Sequence, residues 1–172
     1  ALPFMGYEHY EVLTLGPEYA GTNTRGAWNV RRGIAELAGG INLFSSSQLR
    51  AGLFRGIGEF EEGRSSADKL PEGSFDEGGI FASLRYDRLD SPYFPTDGGF
   101  FYVDYGAFRE DFGGDADFER WRIAGQAAFS FGADDANIVV LTAKTGQSND
   151  APNEPQNYFQ LGGLFNLSGT SQ

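Results

Sequence analysis

The sequence predicts an all-β protein, and three features carry this prediction. The 172 residues include 25 glycines together with 2 Trp, 8 Tyr and 16 Phe, spread over the whole length. Long runs of strong helix formers are rare, and this mixture suits glycine-tolerant strands better than helices. Turn-forming clusters divide the chain at intervals, and apolar and polar residues alternate between the clusters.

Clusters of Gly, Asp, Asn, Ser or Pro delimit eight segments, each roughly 10 to 17 residues long. In chain order the segments are 4–15, 28–44, 48–61, 78–89, 99–111, 117–131, 137–146 and 157–167. Their connections alternate in length, which is the pattern of antiparallel hairpins joined at two ends. No internal repeat or linker divides the chain, so we expect residues 1–172 to form one region.

Within the segments, one set of side chains is apolar and the other is polar. In 117–131 the apolar set is Trp121, Ile123, Ala127, Phe129 and Phe131, and the polar set is Arg120, Arg122, Gln126 and Ser130. In 28–44, Ala35, Leu37, Ile41 and Leu43 oppose Arg32, Glu36 and Asn42. In 99–111, Phe101, Val103, Tyr105 and Ala107 oppose Tyr102, Asp104 and Glu110. A slip of one residue would move every side chain to the other face, so the register is strongly specified.

Two architectures produce this alternation, a soluble sandwich and a membrane-spanning barrel. Segment length favours the barrel, because a tilted membrane crossing needs about 10 residues and globular strands usually have five or six. Aromatic residues at segment ends fit the girdles of such a barrel: Tyr93, Phe94, Phe100, Phe112, Phe118, Tyr158 and Phe159. We therefore predict an antiparallel up-and-down transmembrane β-barrel, which places the chain in the bacterial outer membrane, in contact with lipid or detergent.

Two segments fit the alternation less well. Glu8 and Glu11 interrupt segment 4–15, and Arg55 interrupts segment 48–61. We expect a β-bulge or a face covered by protein at these places.

Composition excludes several functional classes. A formal net charge of −11 argues against nucleic acid as a partner, because phosphate binding requires clustered Lys and Arg. Zero cysteines and one histidine exclude a disulfide scaffold, a thiolate zinc site and a histidine-rich metal site. No apolar run is long enough for a transmembrane helix. Residues 1–5 lack the features of a signal peptide, so we expect any export signal to lie upstream or to have been removed.

One stretch, 85–99, carries a family resemblance. Its sequence R-Y-D-R-L-D-S-P-Y-F-P-T-D-G-G is similar to the signature turn of the bacterial surface-antigen superfamily, which includes outer-membrane assembly factors and two-partner secretion transporters. The matching residues are Asp90, Pro92, Phe94, Pro95, Asp97, Gly98 and Gly99. Physically, Asp and Pro open a turn, and the glycines permit the positive φ angles that restart a strand.

A second stretch, 158–169, resembles the start of that superfamily's long extracellular loop, which folds inward. Its family residues are Gly162, Gly163, Ser168 and Gly169. Ser168 stands where the V-R-G-F type motif has arginine, which removes the donor of the family's loop-to-lumen salt bridge. The form L-G-G-L-F-N-L-S-G is most similar to the barrel region of patatin-like phospholipase autotransporters.

These resemblances imply a position within a larger barrel. The chain would cover seven or eight strands of a sixteen-strand parent, with 147–172 leading into the extracellular loop and 157–167 belonging to that loop. The end at Thr170–Gln172 lacks the family's terminal aromatic residue, which implies that the closing strands are missing. The sheet edges would then need the remaining strands, a second copy or detergent. Arg32, Glu36, Asp104, Arg120 and Arg122 are expected to face a hydrated lumen.

No residue pattern indicates catalysis or cofactor binding. A patatin-type hydrolase needs a G-x-S-x-G elbow, which this sequence lacks, so the D-G-G match at Asp97–Gly99 is interpreted as a hairpin. His9 is a candidate general base, but a single histidine on a strand more often packs or faces water. The acidic stretch 110–117 could hold Ca²⁺, but it lacks the ligand order of an EF-hand and a solvated turn is favoured.

Three hypotheses remain at this level. The first is a non-enzymatic barrel segment that anchors or translocates an N-terminal passenger, which the resemblance suggests is a patatin-like phospholipase. The second is a self-contained eight-strand barrel, either a small outer-membrane protein or a soluble binder of an apolar ligand. The third is a lipolytic enzyme that uses His9 or Asp97.

Overall fold

One antiparallel sheet of seven strands makes up the structure, a computed structural model that describes residues 2–15, 24–65, 72–133 and 137–157. The strands are β1 (Leu2–Leu15), β2 (Thr24–Phe44), β3 (Ser47–Ser65), β4 (Gly73–Asp87), β5 (Gly98–Phe108), β6 (Phe118–Phe131) and β7 (Asn137–Asn149). Each strand pairs with its sequence neighbours, in the order β1 to β7. Two 3-10 turns, Glu110–Phe112 and Pro155–Asn157, follow β5 and β7. The all-β, up-and-down prediction is therefore confirmed.

The predicted segments correspond to the strands, with differences at their ends. β3 and β4 reach further toward their shared connection than predicted, ending at Ser65 and beginning at Gly73. The prediction that segment 99–111 continues as a strand through Glu110 is wrong, because β5 ends at Phe108. The Glu110 amide instead donates to Asp117 Oδ1 at 2.7 Å, which stabilises a 3-10 turn. Apart from Asn157, the eighth segment lies outside the described residues.

The pairing register is uninterrupted through the middle of every strand. Register shifts occur only near strand ends, between Thr14 and Leu15, between Gly26 and Trp28, and between Asn42 and Phe44. Because cross-strand partners lie on the same face, the register assigns the face of each residue.

The register divides the side chains between two faces, which we name the outer face and the inner face. The outer face carries large apolar side chains that are exposed: Leu37, Ile41, Leu43, Leu49, Leu53, Ile80, Phe101, Tyr105, Ile123, Phe129, Phe131, Val139 and Leu141. We call this set the apolar band. The inner face carries the predicted polar set Arg32, Glu36, Asp104, Arg120 and Arg122, which occupy the alternate positions of β2, β5 and β6.

The apolar band approaches the height of a membrane core. On β6 it extends from Ile123 to Phe131, which covers about 26 Å along the strand at about 3.3 Å per residue. With a tilt of about 40°, this length spans about 20 Å, compared with the roughly 25 Å apolar band of outer-membrane barrels.

Charged residues bound the apolar band at one end. Arg31 lies 3.2 Å from Glu59 and 3.5 Å from Glu61, and Arg55 lies 3.3 Å from Asp76. We call these five outer-face residues the charged rim. The rim lies at the end of the sheet that carries the connections 66–72 and 109–117, and the opposite end carries the Ser45–Ser46 turn and the connection 88–97.

Aromatic side chains form the buried parts of the inner face. One cluster contains Trp28, Val30, Phe60 and Phe75. A second cluster contains Phe54, Phe108 and Phe118, with the Phe108 and Phe118 rings stacked at 4.0 Å and Phe54 edge-on to Phe108 at 5.0 Å. Because the rings come from β3, β5 and β6, the second cluster joins distant strands across the inner face.

The connection between β5 and β6 folds back along β4, which extends beyond the end of β5. The Arg109 amide donates to Gly78 O at 2.8 Å, and the Asp115 amide donates to Asp76 O at 3.0 Å. At Gly78 a β-carbon would lie 2.1 Å from Phe112 O, so glycine is required for this close approach. Arg55, which interrupts the apolar outer face, donates to Gly113 O of this connection, and its side chain is 44% exposed.

The edges of the sheet are formed by β1 and β7, which each have one paired neighbour within the described residues. Exposed apolar side chains of the inner face, such as Phe4, Ile138 and Val140, lie on these two edge strands.

Across the described ranges, no helix has the length and apolar character needed to span a membrane.

Candidate functional site

The inner face is the candidate site, and its first element is an arginine held between two carboxylates. Arg32 of β2 contacts Glu8 of β1 at 2.5 Å and Glu77 of β4 at 2.9 Å. Glu77 is 4% exposed, and within the described residues its second oxygen, Oε1, is buried without a hydrogen-bond partner. Glu8, which interrupted the sequence alternation, thus belongs to the inner face and pairs there.

A second ion pair joins β2 and β3. Arg50 Nη2 donates to Glu36 Oε2 at 2.9 Å, and the Arg50 guanidinium lies 5.1 Å from the centre of the Phe81 ring. The planar guanidinium combines an in-plane hydrogen bond with a ring contact, and lysine could not combine these in the same way.

A third ion pair joins β5 and β6. Arg122 and Asp104 are direct cross-strand partners, and their charged atoms lie 3.6 Å apart. The Arg122 side chain is 57% exposed, so this pair is hydrated and contributes less than about 1 kcal/mol.

Arg120 contacts a different set of groups. Its guanidinium lies over the rings of Phe108 and Phe118, with centroid distances of 5.0 and 5.5 Å. Its Nη2 donates to Asn157 Oδ1 at 2.5 Å, and its Nε donates to Ser148 Oγ at 3.3 Å. Arg120 therefore links the wall of the sheet to the chain that follows β7.

The chain after β7 lies against the inner face. Asp150 has a φ of 60°, in the left-handed region that reverses a strand. Ala151 packs on the cluster of Phe54, Phe108 and Phe118, and the 3-10 turn Pro155–Asn157 contacts β2. We call residues 150–157 the return segment.

The arginines of β2, β3 and β6 whose side chains the structure describes thus fall into two groups. Arg32, Arg50, Arg120 and Arg122 lie on the inner face, whereas Arg31 and Arg55 belong to the charged rim of the outer face. Arg32, Arg50 and Arg122 form ion pairs with carboxylates of other strands, an arrangement that can line a hydrated passage.

The signature turn at 88–97 is built around Asp90. Its carboxylate accepts hydrogen bonds from the Thr96 hydroxyl at 2.5 Å, the Thr96 amide at 2.9 Å and the Asp97 amide at 3.2 Å. The hydroxyl bond of Thr96, followed by the two backbone bonds, lowers the pKa of Asp90 below its ordinary value of 3.8. The Asp90 amide donates back to Asp97 O at 3.2 Å, which closes the turn.

The other family-motif residues have distinct positions in this turn. Gly98 has a φ of 100°, and a β-carbon there would lie 2.1 Å from Arg88 O. Pro95 is buried, Pro92 and Phe94 are exposed, and Gly99 pairs with Ala127 of β6. The motif residues Gly162, Gly163, Ser168 and Gly169 lie outside the described residues.

The two catalytic candidates, His9 and Asp97, lie at opposite ends of the sheet. His9 lies opposite Arg31 in the register of β1 and β2, whereas Asp97 belongs to the signature turn at the other end of the sheet. The backbone of Asp97 closes that turn, which agrees with the hairpin interpretation of D-G-G.

The acidic stretch 110–117 uses its carboxylates for backbone contacts. Asp117 Oδ1 accepts from the Glu110 amide, and Asp115 Oδ2 accepts from the Asp76 amide at 2.6 Å. Throughout the described ranges, no group of three or more His, Asp or Glu side chains is placed to hold a metal ion.

Sequence reasoning did not identify Glu77 or the aromatic cluster of the inner face. Glu77 lies in the stretch D-E-G-G, which resembles a turn, and the sequence prediction began the strand one residue later. Extending the alternation of 78–89 backward by a few residues would have placed Glu77 on the same face as Ser83.

The fold and the two faces define an open antiparallel sheet of the kind that forms part of a β-barrel wall. Residues 6–171 match the Omp85 superfamily domain, so the chain belongs to the Omp85 superfamily. Membership implies the bacterial outer membrane, and members of the superfamily are transporters or assembly factors rather than enzymes. No curated protein matches the chain.

Proposed function

We propose that the chain is a non-enzymatic part of an outer-membrane β-barrel wall that anchors or translocates an N-terminal passenger. The observation that carries this proposal is the separation of the two faces. The apolar band leaves side chains such as Leu37, Ile41 and Phe129 more than half exposed, and such a surface is compatible with lipid but not with water.

The inner face supplies the second part of the proposal. Arg32, Glu36, Asp104, Arg120 and Arg122 share this face, and we propose that they line a hydrated lumen. The ion pairs of Arg32, Glu36, Asp104 and Arg122 support this role. If this face met an apolar environment, each charge would have to be fully buried and paired with an opposite charge. Arg122, which is more than half exposed, requires water on this side.

The passenger is proposed from the family and from the sequence. The superfamily has assembly and secretion roles, and the stretch 158–169 is most similar to barrels fused to patatin-like phospholipases. In that arrangement the lipase activity belongs to the passenger and the barrel supplies anchoring and passage.

The barrel proposal also names partners for the sheet edges. β1 and β7 each have a free side in the described structure, and an unpaired edge is costly in lipid. We propose that the remaining strands of a sixteen-strand barrel pair with these edges, with a second copy as the other way to cover them. Residues 1–172 then form one barrel region, and 147–172 begin its extracellular loop.

Surface display of the passenger tests the proposal. In cells that express the intact protein, the barrel region should fractionate with the outer membrane and show heat-modifiable migration in detergent. Protease added to whole cells should digest a passenger that the barrel has exported. A variant with Ile123→Arg in the apolar band should leave the passenger inside the cell.

The matched control is Gln126→Arg, which places the same side chain on the inner face of the same strand. This variant should retain membrane insertion and display. A barrel region found in the water-soluble fraction, or a passenger displayed equally well by both variants, would contradict the proposal.

A further inference from the structure

Arg120 differs from the other inner-face arginines because its contacts reach beyond the sheet. Arg122 pairs with Asp104 on the neighbouring strand, and Arg50 pairs with Glu36 in the same way. Arg120 instead donates to Asn157, which lies 37 residues further along the chain in the return segment. A second bond to Ser148 orients the guanidinium at the end of β7.

The return segment has a compact internal structure that ends at Asn157. The Asn157 amide donates to Glu154 O at 2.9 Å, and its Nδ2 donates to Pro152 O at 3.0 Å. The remaining atom of its side-chain amide, Oδ1, accepts from Arg120. The Asn157 side chain therefore joins the internal bonds of the segment to the wall of the sheet.

Burial shows that this segment is seated on the inner face. Gln156 is 7% exposed, and Ala151 packs on the aromatic cluster of Phe54, Phe108 and Phe118. Arg120 covers two of the same rings, so the arginine and the segment share one platform. Loss of Arg120 would remove both the polar link and part of the surface on which the segment rests.

The chemistry of the guanidinium suits this position. A planar group can lie over aromatic rings while its edge donates hydrogen bonds in the plane, and here the edge donates to Ser148 and Asn157. A lysine ammonium would keep the charge but would not provide the two oriented donors.

We propose that Arg120 is a positioning residue that latches the return segment, residues 150–157, onto the inner face. The geometry is independent of what the barrel transports. The consequence for passage rests on the proposed function, since a segment released from the wall would free space on the inner face.

Cysteine labelling measures the latch directly, because the chain has no cysteine of its own. Gln156→Cys is introduced into the intact protein in the outer membrane, and the labelling rate with a water-soluble maleimide is compared with a parent lacking the cysteine. With Arg120 present, labelling should be slow. Arg120→Met should raise the rate by about tenfold or more, since a hydrogen bond to a charged group is lost and the segment opens more often.

The matched control is Arg122→Met, which removes the neighbouring inner-face arginine and should leave the labelling rate within about twofold, as for surface changes of small energy. Asn157→Ala removes the acceptor of the Arg120 hydrogen bond and leaves the strands of the sheet unchanged. It should therefore raise the labelling rate as Arg120→Met does, and it tests the latch even if Arg120→Met folds poorly. Arg120→Lys should restore only part of the protection. An unchanged rate in both Arg120→Met and Asn157→Ala, or an equal rise in Arg122→Met, would overturn the latch.

Conductance in planar bilayers separates the latch from the proposed function. A higher conductance of Arg120→Met, together with faster labelling, supports both. Faster labelling with unchanged conductance supports the latch and contradicts its role in passage.

Discussion

Replacing Ile123 with arginine tests directly whether the outer face contacts lipid. Ile123 lies in the apolar band of β6, is 40% exposed, and has Val103 and Thr145 as cross-strand neighbours. An arginine on the lipid face of a barrel costs about 2–4 kcal/mol at mid-bilayer. Because about 1.4 kcal/mol is tenfold, Ile123→Arg should lower the folding equilibrium constant by about 30-fold to 700-fold.

Two matched positions show whether this cost comes from lipid. Gln126→Arg places arginine on the inner face of the same strand, and a hydrated position should cost less than about 0.5 kcal/mol. Ile57 lies on the outer face between Arg55 and Glu59, at the charged rim, so Ile57→Arg should cost about 0–1 kcal/mol, as near a membrane boundary.

The assay is reversible folding of the intact protein into phospholipid vesicles, followed over a guanidinium titration. The expected order of destabilisation is Ile123→Arg, then Ile57→Arg, then Gln126→Arg. Equal costs at positions 123 and 126 would refute the separation of lipid and water by the two faces. A cost at position 57 as large as that at 123 would refute the assigned height of the apolar band.

Three further perturbations test the inner face, the β5–β6 connection and the signature turn. Arg32→Met should destabilise the fold by about 3–5 kcal/mol because it leaves a buried carboxylate unpaired, whereas Arg31→Met breaks only exposed pairs and should cost less than about 1 kcal/mol in the same vesicle titration. Gly78→Ala should displace the connection and abolish hydrogen-exchange protection of the amide that donates to its carbonyl, but Gly39→Ala, with open space at its β-carbon, should leave protection intact. Because the folded pKa of Asp90 is lowered, its stabilisation is fully present well above pH 3.8 and declines as pH falls below it, so Asp90→Asn should lower the melting temperature more at pH 7 than at pH 2. Equal stability of the two arginine variants, retained protection in Gly78→Ala, or a pH-independent effect of Asp90→Asn would contradict these expectations.

The faces of the strands could be predicted from the sequence because alternation is a local property. Trp121, Ile123 and Phe129 were placed on one side of β6 and Arg120 and Arg122 on the other, and the register of β5, β6 and β7 shows this division. A strand has a period of two, so no knowledge of its neighbours is needed to separate its two faces.

The partners of inner-face residues could not be predicted, because they depend on register between strands. Glu8, Arg32 and Glu77 come from β1, β2 and β4, and only the assembled sheet brings them together. The contact of Arg55 also required the three-dimensional path of the chain, since its hydrogen-bond acceptor, Gly113, lies 58 positions away.

The role of Arg120 could not be predicted from sequence patterns, for a further reason. Its position on the polar face was predicted, but its contact with Asn157 arises from the fold of the return segment, which has no periodic signal. The sequence therefore predicted the surface that forms the candidate site and missed the contacts that organise it.

Spin-label accessibility along β6 tests the central claim most directly. A single spin label is placed in turn at each position of 118–131 in the intact protein in lipid vesicles, and its collision rates with oxygen and with a water-soluble nickel chelate are measured. The account predicts a period of two, with odd positions such as 123 and 129 exposed to oxygen in the bilayer and the hydrated even positions, such as 122 and 126, exposed to the chelate. Odd positions that collide with neither reagent, or a profile without alternation, would contradict the claim that the apolar band of this sheet faces lipid.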